Sequence, residues 1–331
     1  MRVLFVLSGN NKFGITPFIK DQGDSLSRAG IKVDYFPIIG KGIFSYLKAS
    51  RLLRKYLKIN DVDIIHAHYT LSGWVAVFAF TGKPIVLSLM GSDVYGAYIG
   101  ENKIKLSSLY LRLLAKMIQP FVKSIICKSK NIESYVYLKY RSCIIPNGVN
   151  LDNIKDNRIS YRDELLLDRS KKYILFLGSK KNVRKNYELA YSAYKLLDNE
   201  DIELIVPYPV PHEQVLKYLN AVDCLSVTSY MEGSPNIIKE AMACNCPVVS
   251  TDVGDVRWLF GDEPGYYIAD FTPEDFAEKL KSALEYSSRY VRTKGRERII
   301  SLCLDAETIA QRLMEVYNEV KEGCAGNYKP D

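Results

Sequence analysis

The stretch DCLSVTSYMEGSPNIIKEAMACNCPVVST, residues 223–251, runs through a strand, a turn, a helix and a second strand in immediate succession. Its two ends, DCLSVTS and PVVST, are short and rich in apolar and β-branched residues, as buried parallel strands are. Between them Gly233, Ser234, Pro235 and Asn236 form a turn, and the apolar residues that follow recur at helical spacing. Ser234 suits an N-cap and Pro235 a first helical residue, so the helix is expected to start there. A strand, a helix and a parallel strand make a crossover, and sheets built from crossovers are covered by helices on both faces.

The same alternation extends in both directions. Upstream, RVLFVLS, IKVDYFPI, VDIIHAH, PIVLSLMG, SIICKS and CIIPNGV read as strands separated by amphipathic stretches, including a long helical pattern over 103–123. Around residues 150–171 the pattern lapses into a polar, charged segment expected to be a linker. Alternation then resumes with YILFLG, IELIVP and the stretch quoted above, and ends in helices with Thr272 and Asp305 as expected N-caps. The sequence therefore predicts an α/β protein of two doubly wound, Rossmann-like units. Their expected spans are 1–160 and 161–304, with a helix over 305–322 packing back towards the first unit. A ligand is expected in a central cleft, at the carboxyl ends of both sheets.

At 331 residues the chain exceeds the ~250–300 at which single cores stop growing, which agrees with two units. Seven cysteines without regular spacing do not form a disulfide framework, and Cys244 and Cys246 read as small core residues. No signal-peptide core or spanning segment stands out, so a cytoplasmic protein is expected. Residues 1–150 carry 21 Lys and Arg against 8 Asp and Glu, a balance of +13, whereas 151–331 carry 24 against 30, a balance of −6. The basic first half suits an anionic surface partner. Leu106, Leu109, Leu113 and Met117 form an apolar stripe among Lys103, Lys105, Arg112, Lys116 and Lys123, so residues 103–123 could lie on an anionic membrane. No aromatic and basic interleaving points to nucleic acid.

Glu232 and Glu240 bracket the turn. A helix start offers backbone N–H groups and a positive dipole end to an anion. Asn236 and Glu240 are four apart and share a face. A diphosphate at the helix tip, with hydroxyl-rich rings held by the two carboxylates, accounts for both features. Spacing alone also fits an ordinary helix whose glutamate offsets its dipole. His66 and His68 share a strand face, but no third ligand is evident and no metal site is expected.

Glu232 and Glu240, with seven residues between them, resemble the E-x7-E motif of the family 4 (group 1) glycosyltransferases of GT-B fold. IIPNGVN (144–150), DIIHAH (63–68) and LFLGSKKNVRKNYELA (175–190) resemble further blocks of that family, in the family's order. The resemblance implies a metal-independent, retaining glycosyltransferase. Its donor would be a nucleotide-sugar, and its acceptor a glycan or lipid-linked precursor of a surface polysaccharide. By motif match Glu240 would hold the ribose, and Glu232 the transferred sugar, beside the backbone of Gly233, Ser234, Pro235 and Asn236. Lys185 would meet the diphosphate, and Gly14 would let the first unit's loop approach it. Ser179 stands where the family has an arginine, and Arg184 is the expected substitute. Met90 replaces a family histidine, while His68 and Asp93 are expected on the acceptor side. Two rival readings share the architecture: a nucleotide-sugar epimerase and a non-catalytic sugar-nucleotide-binding protein.

Overall fold

The computed structural model describes residues 1–12, 14–155 and 157–323, and its chain divides into two compact units. Unit 1 comprises residues 1–97, 105–148 and 306–331, and unit 2 comprises 98–104 and 149–305. The sequence predicts that the last eight or so residues fray, and these lie outside the described residues.

In chain order the strands are β1 (Arg2–Ser8), β2 (Lys32–Ile38), β3 (Ile64–His68) and β4 (Ile85–Leu89). A hairpin of β5 (Tyr98–Gly100) and β6 (Lys103–Ile104) follows, then β7 (Ser124–Cys127) and β8 (Ser142–Ile144). Unit 1 is built on one parallel sheet in the order β2-β1-β3-β4-β7-β8. Strand β1, paired between β2 and β3, buries Val3 to Val6 completely, which a run of five apolar residues with helices on both faces requires. The helix Ala306–Glu322 belongs to this unit, where the Tyr317 hydroxyl lies 2.6 Å from His66 Nδ1.

Unit 2 carries β9 (Lys172–Phe176), β10 (Ile202–Ile205), β11 (Cys224–Val227), β12 (Val248–Thr251) and β13 (Tyr266–Ala269). They form a parallel sheet in the order β10-β9-β11-β12-β13. The core beneath it collects Ile174, Leu189, Cys224, Val249, Phe276 and Leu280. Cys244 and Cys246 are buried in this unit as free thiols. The Thr272 hydroxyl accepts from the Asp275 amide and caps the long helix Pro273–Tyr290, as its sequence predicts.

Three expectations need correction. The segment around 150–171 is no linker. It holds the helix Arg158–Glu164, whose Arg162 is buried and pairs with the fully buried Asp223 at 2.7 Å, while Arg158 meets the other oxygen of that carboxylate at 2.5 Å. Two arginines on one buried carboxylate tie the segment to unit 2, whose main run begins at Val149, not at residue 161. The pattern over 103–123 is not one helix either. Only Leu109–Met117 is α-helical, because the chain enters it from the β5–β6 hairpin and Pro120 follows it. Finally, the helix after β11 starts at Asn236 with Pro235 in the cap position. Pro235 has an extended ψ of 107°, and the Ser234 hydroxyl makes no cap bond.

In both sheets the chain reverses its direction of winding between the first strand and its second neighbour. Those switch points lie between β1 and β3 in unit 1 and between β9 and β11 in unit 2. Open α/β sheets bind ligands at such points, outside the carboxyl ends of the strands.

Candidate active site

At the switch point of unit 2 two loops meet. The loop after β9 carries the turn Val183–Lys185, and the loop after β11 carries Ser229 to Pro235. Backbone and hydroxyl contacts join them. The Thr228 hydroxyl lies 2.9 and 2.8 Å from the carbonyls of Lys185 and Asn186, and the Tyr230 amide donates to the Arg184 carbonyl at 2.9 Å. Asn186 adopts the left-handed conformation, φ 50°, that turns the chain into the helix Tyr187–Leu196. The first strand of the β5–β6 hairpin packs on the Val183–Lys185 turn.

These constraints bring two cations onto one carboxylate. Lys185 Nζ lies 2.7 Å, and the Arg184 guanidinium 2.6 Å, from Glu232 Oε1, and the Ser229 hydroxyl donates to the same oxygen at 2.9 Å. Burial of Glu232 works to raise its carboxyl, but the Lys185 and Arg184 charges outweigh it and hold the group down at about 2. Arg184, the expected substitute for the family arginine that Ser179 replaces, also donates to the Met231 carbonyl at 2.9 Å. Lys180 lies instead over the Tyr187 ring, 4.9 Å from its centre.

Glu240 lies one turn into the helix Asn236–Ala243, on the face of Asn236. His212 Nε2 is 3.0 Å from Glu240 Oε1. His212 opens the helix His212–Ala221 directly after the edge strand β10, and nothing in its own neighbourhood of sequence announces the pairing. Ile237 stands at the strand ends beside Lys185 and Ser229. Beneath the helix start Lys239 is fully buried, and both carboxylate oxygens of the half-buried Asp255 are shielded from solvent. Burial lowers the Lys239 ammonium to about 8 against the pull of Asp255 and Glu240, and raises the Asp255 carboxyl against the pull of Lys239.

Gly254, next to Asp255, packs its backbone on the Glu232–Gly233 segment. A Cβ there would lie 2.8 Å from the Gly233 carbonyl oxygen and 3.1 Å from that of Glu232.

At the switch point of unit 1 stand the loop after β1 and the end of β3. Gly14 has φ +84°, and a Cβ there would meet nothing within 4 Å among the described residues, so its backbone conformation rather than crowding calls for glycine. His66 and His68 stack with ring centres 4.3 Å apart. His66 also reaches the Ser88 hydroxyl at 2.8 Å, whereas neither His68 nitrogen meets a partner among the described residues. Burial pushes both imidazoles well below their usual range, the nearby Lys128 charge adds to this, and both are neutral at pH 7. Asp93 is fully buried and accepts from the Thr70, Met90 and Gly91 amides at 2.9–3.1 Å. Its carboxylate clasps the turn after β4 to the helix Thr70–Phe78, and it has no exposed oxygen to offer an acceptor directly. No group of three His, Cys, Asp or Glu side chains suited to a metal occurs among the described residues. Nor, among them, is any helix long and apolar enough to cross a membrane.

Two family models match the chain: Glycosyltransferase Family 4 over residues 14–153, and Glycosyl transferases group 1 over residues 202–300. The putative teichuronic acid biosynthesis glycosyltransferase TuaC of Bacillus subtilis is 26% identical over 68% of this chain, a match spanning 63% of that protein's length. The N-acetylgalactosamine-N,N'-diacetylbacillosaminyl-diphospho-undecaprenol 4-alpha-N-acetylgalactosaminyltransferase of Campylobacter jejuni is 25% identical, covering 81% of this chain and 80% of that one. Among solved structures, the sucrose-phosphate synthase of Thermosynechococcus elongatus superposes with a TM-score of 0.76 at 17% identity, over 97% of this chain and 99% of that one. Anabaena Alr3699/HepE in complex with UDP-glucose superposes with a TM-score of 0.72 at 16% identity, over 96% and 100%. The architecture is GT-B, with two Rossmann-like units.

Proposed function

The chain belongs to the group 1 glycosyltransferases of family 4, and on that footing we propose that it moves a sugar from a nucleotide-sugar to a lipid-linked glycan acceptor. The transfer retains the anomeric configuration and serves the building of a surface polysaccharide. The observation that carries this reading is the convergence of Arg184 and Lys185 on Glu232 beside the start of the helix Asn236–Ala243. In the donor complex the two cations turn to the diphosphate and Glu232 to hydroxyls of the sugar, while Glu240, steadied by His212, takes the ribose. The bond from the anomeric carbon to the phosphate oxygen breaks, and a bond to the acceptor oxygen forms on the same face. The acceptor's proton passes to the departing phosphate. Negative charge grows on that phosphate as the bond breaks, so cations fixed beside it stabilise the transition state more than the ground state.

The basic unit 1 suits an anionic acceptor, and the name of the Campylobacter relative, which carries a diphospho-undecaprenol, favours a lipid carrier over a free glycan. Catalysis without a metal, and work at the cytoplasmic face of a membrane, belong to the same proposal.

Kinetics of two variants test it. Lys185→Ala should lower turnover by ~100- to 1000-fold with a small change in donor affinity, and Glu240→Ala should weaken donor binding with a smaller effect on turnover. Full transfer by the Lys185 variant would remove its assigned role. Incubation with donor alone should yield no epimer.

A further inference from the structure

We propose that a groove in unit 1, between the helices Ile43–Ile59, Thr70–Phe78 and Leu109–Met117, receives the hydrocarbon chain of the acceptor's lipid carrier, whose anionic head rests on the groove's cationic rim. The inference rests on the reading of the acceptor as lipid-linked and names the place where that lipid binds.

The groove has a volume of about 610 Å³, within the 300–1,000 Å³ typical of small-molecule sites. Its walls are apolar and open to solvent: Ile43 is 70% exposed, Tyr110 55% and Met117 51%. Contiguous exposed apolar surface of this kind marks an interaction site. Trp74 lines it with its polar handle already used, since its indole N–H donates to the Leu114 carbonyl at 3.2 Å and its ring stacks on Phe78. The wall therefore presents hydrocarbon and no unmet donor at that point.

Charge selects the occupant. Residues 41–59 contain six Lys and Arg, residues 103–123 contain five, and neither segment contains an Asp or Glu. Lys41 lines the groove, and Lys48 and Lys116 are exposed next to the lining residues Leu47 and Met117. An apolar trough with an all-cationic surround fits an amphiphile with an anionic head. A second copy of the chain would bring two cationic rims together, which like-charge repulsion opposes. A flat leaflet would meet the rim and leave the trough unfilled, whereas a single chain fills it.

The test uses the full chain carrying Trp258→Phe, which leaves Trp74 as the one tryptophan. Farnesyl diphosphate is the probe, with inorganic diphosphate and phosphatidylglycerol vesicles as separate arms and no donor present. We expect a saturable shift of Trp74 emission with farnesyl diphosphate and none with inorganic diphosphate. Met117→Glu and Ile43→Glu, at positions already exposed, should weaken binding at least tenfold, and Lys41→Glu should weaken it further. Four results would each overturn the proposal: an equal response to inorganic diphosphate, a response to vesicles alone, no response, or a dimer in sedimentation that Met117→Glu dissolves. Since no donor is present, failure here leaves the transfer chemistry standing, and failure of transfer leaves this binding measurable.

Discussion

Gly254 has no reactive group, yet the loop that carries Glu232 rests on it. Its φ is +62°, and the atoms a Cβ would strike are backbone carbonyls that cannot swing aside. Gly254→Ala must therefore displace residues 232–233 and loosen Glu232 from Arg184 and Lys185. A side chain forced into that conformation costs about 1–3 kcal/mol. We expect at least a tenfold rise in the donor's dissociation constant, read by isothermal titration, and unchanged affinity would show that the loop is held elsewhere. Glu232 itself yields a prediction about pH. Its folded value of about 2 lies below the ordinary 4.5, so the attraction it feels is complete above 4.5 and fades only as pH falls towards 2. The pH profile of kcat/KM between 5 and 8 should contain no ionisation of Glu232, and Glu232→Gln should lower activity by one constant factor across that range. A loss that varies with pH would assign the carboxylate a proton-transfer role instead. Much of this site is legible in sequence, because Glu232, Glu240, Arg184 and Lys185 sit beside turn and helix-start signals or match a motif. His212, Ser229 and Asp255 are not, since their parts depend on side chains meeting in space, 28 residues apart in the case of His212 and Glu240.

Strand β3 buries two imidazoles side by side, and that arrangement makes unit 1 sensitive to acid. Both histidines have folded values well below 6.5, chiefly through burial. Below pH 6.5 the unfolded chain takes up protons that the folded strand refuses, so stability is full above 6.5 and falls as pH drops towards the folded values. Each histidine contributes a slope of about 1.4 kcal/mol per pH unit in that window. Urea unfolding of the Trp258→Phe protein, followed at Trp74, should show its midpoint falling between pH 7.5 and 5.5. His68→Phe, which cannot titrate, should remove about half of the slope, and a flat midpoint in the parent protein would contradict the assignment. At this scale the sequence is read best where apolar runs are long and bounded. β1 to β4 fall where alternation places them, and so do the helices that pair with them. The β5–β6 hairpin escapes such a reading because its strands have three and two residues, with no longer apolar run around them to establish a period. The helix Arg158–Glu164 escapes it for another reason. Its surface is charged, and the ion pairs with the buried Asp223 that hold it are made to a residue about 60 positions away.

Across the whole molecule the split of charge follows the split of chemistry. The basic unit presents the groove and its cationic rim, whereas the residues proposed to hold the donor beyond Gly14, among them Arg184, Lys185, His212, Glu232 and Glu240, belong to unit 2. Each unit also owns one of the chain's two tryptophans, Trp74 in unit 1 and Trp258 in unit 2. Binding to a folded state stabilises it by RT ln(1 + [L]/Kd), about 2.7 kcal/mol at a hundredfold excess over Kd. That increment falls first on the unit that holds the ligand. With a saturating nucleotide-sugar, the thermal transition followed at Trp258 in a Trp74→Phe protein should therefore rise by several degrees. The transition followed at Trp74 in the Trp258→Phe protein should move much less. Farnesyl diphosphate should reverse the pattern, raising the Trp74 transition above that at Trp258. Equal shifts at both reporters for either ligand would mean that the units unfold as one cooperative body, and the assignment of donor and lipid to separate units would then need binding data from each site's own variants.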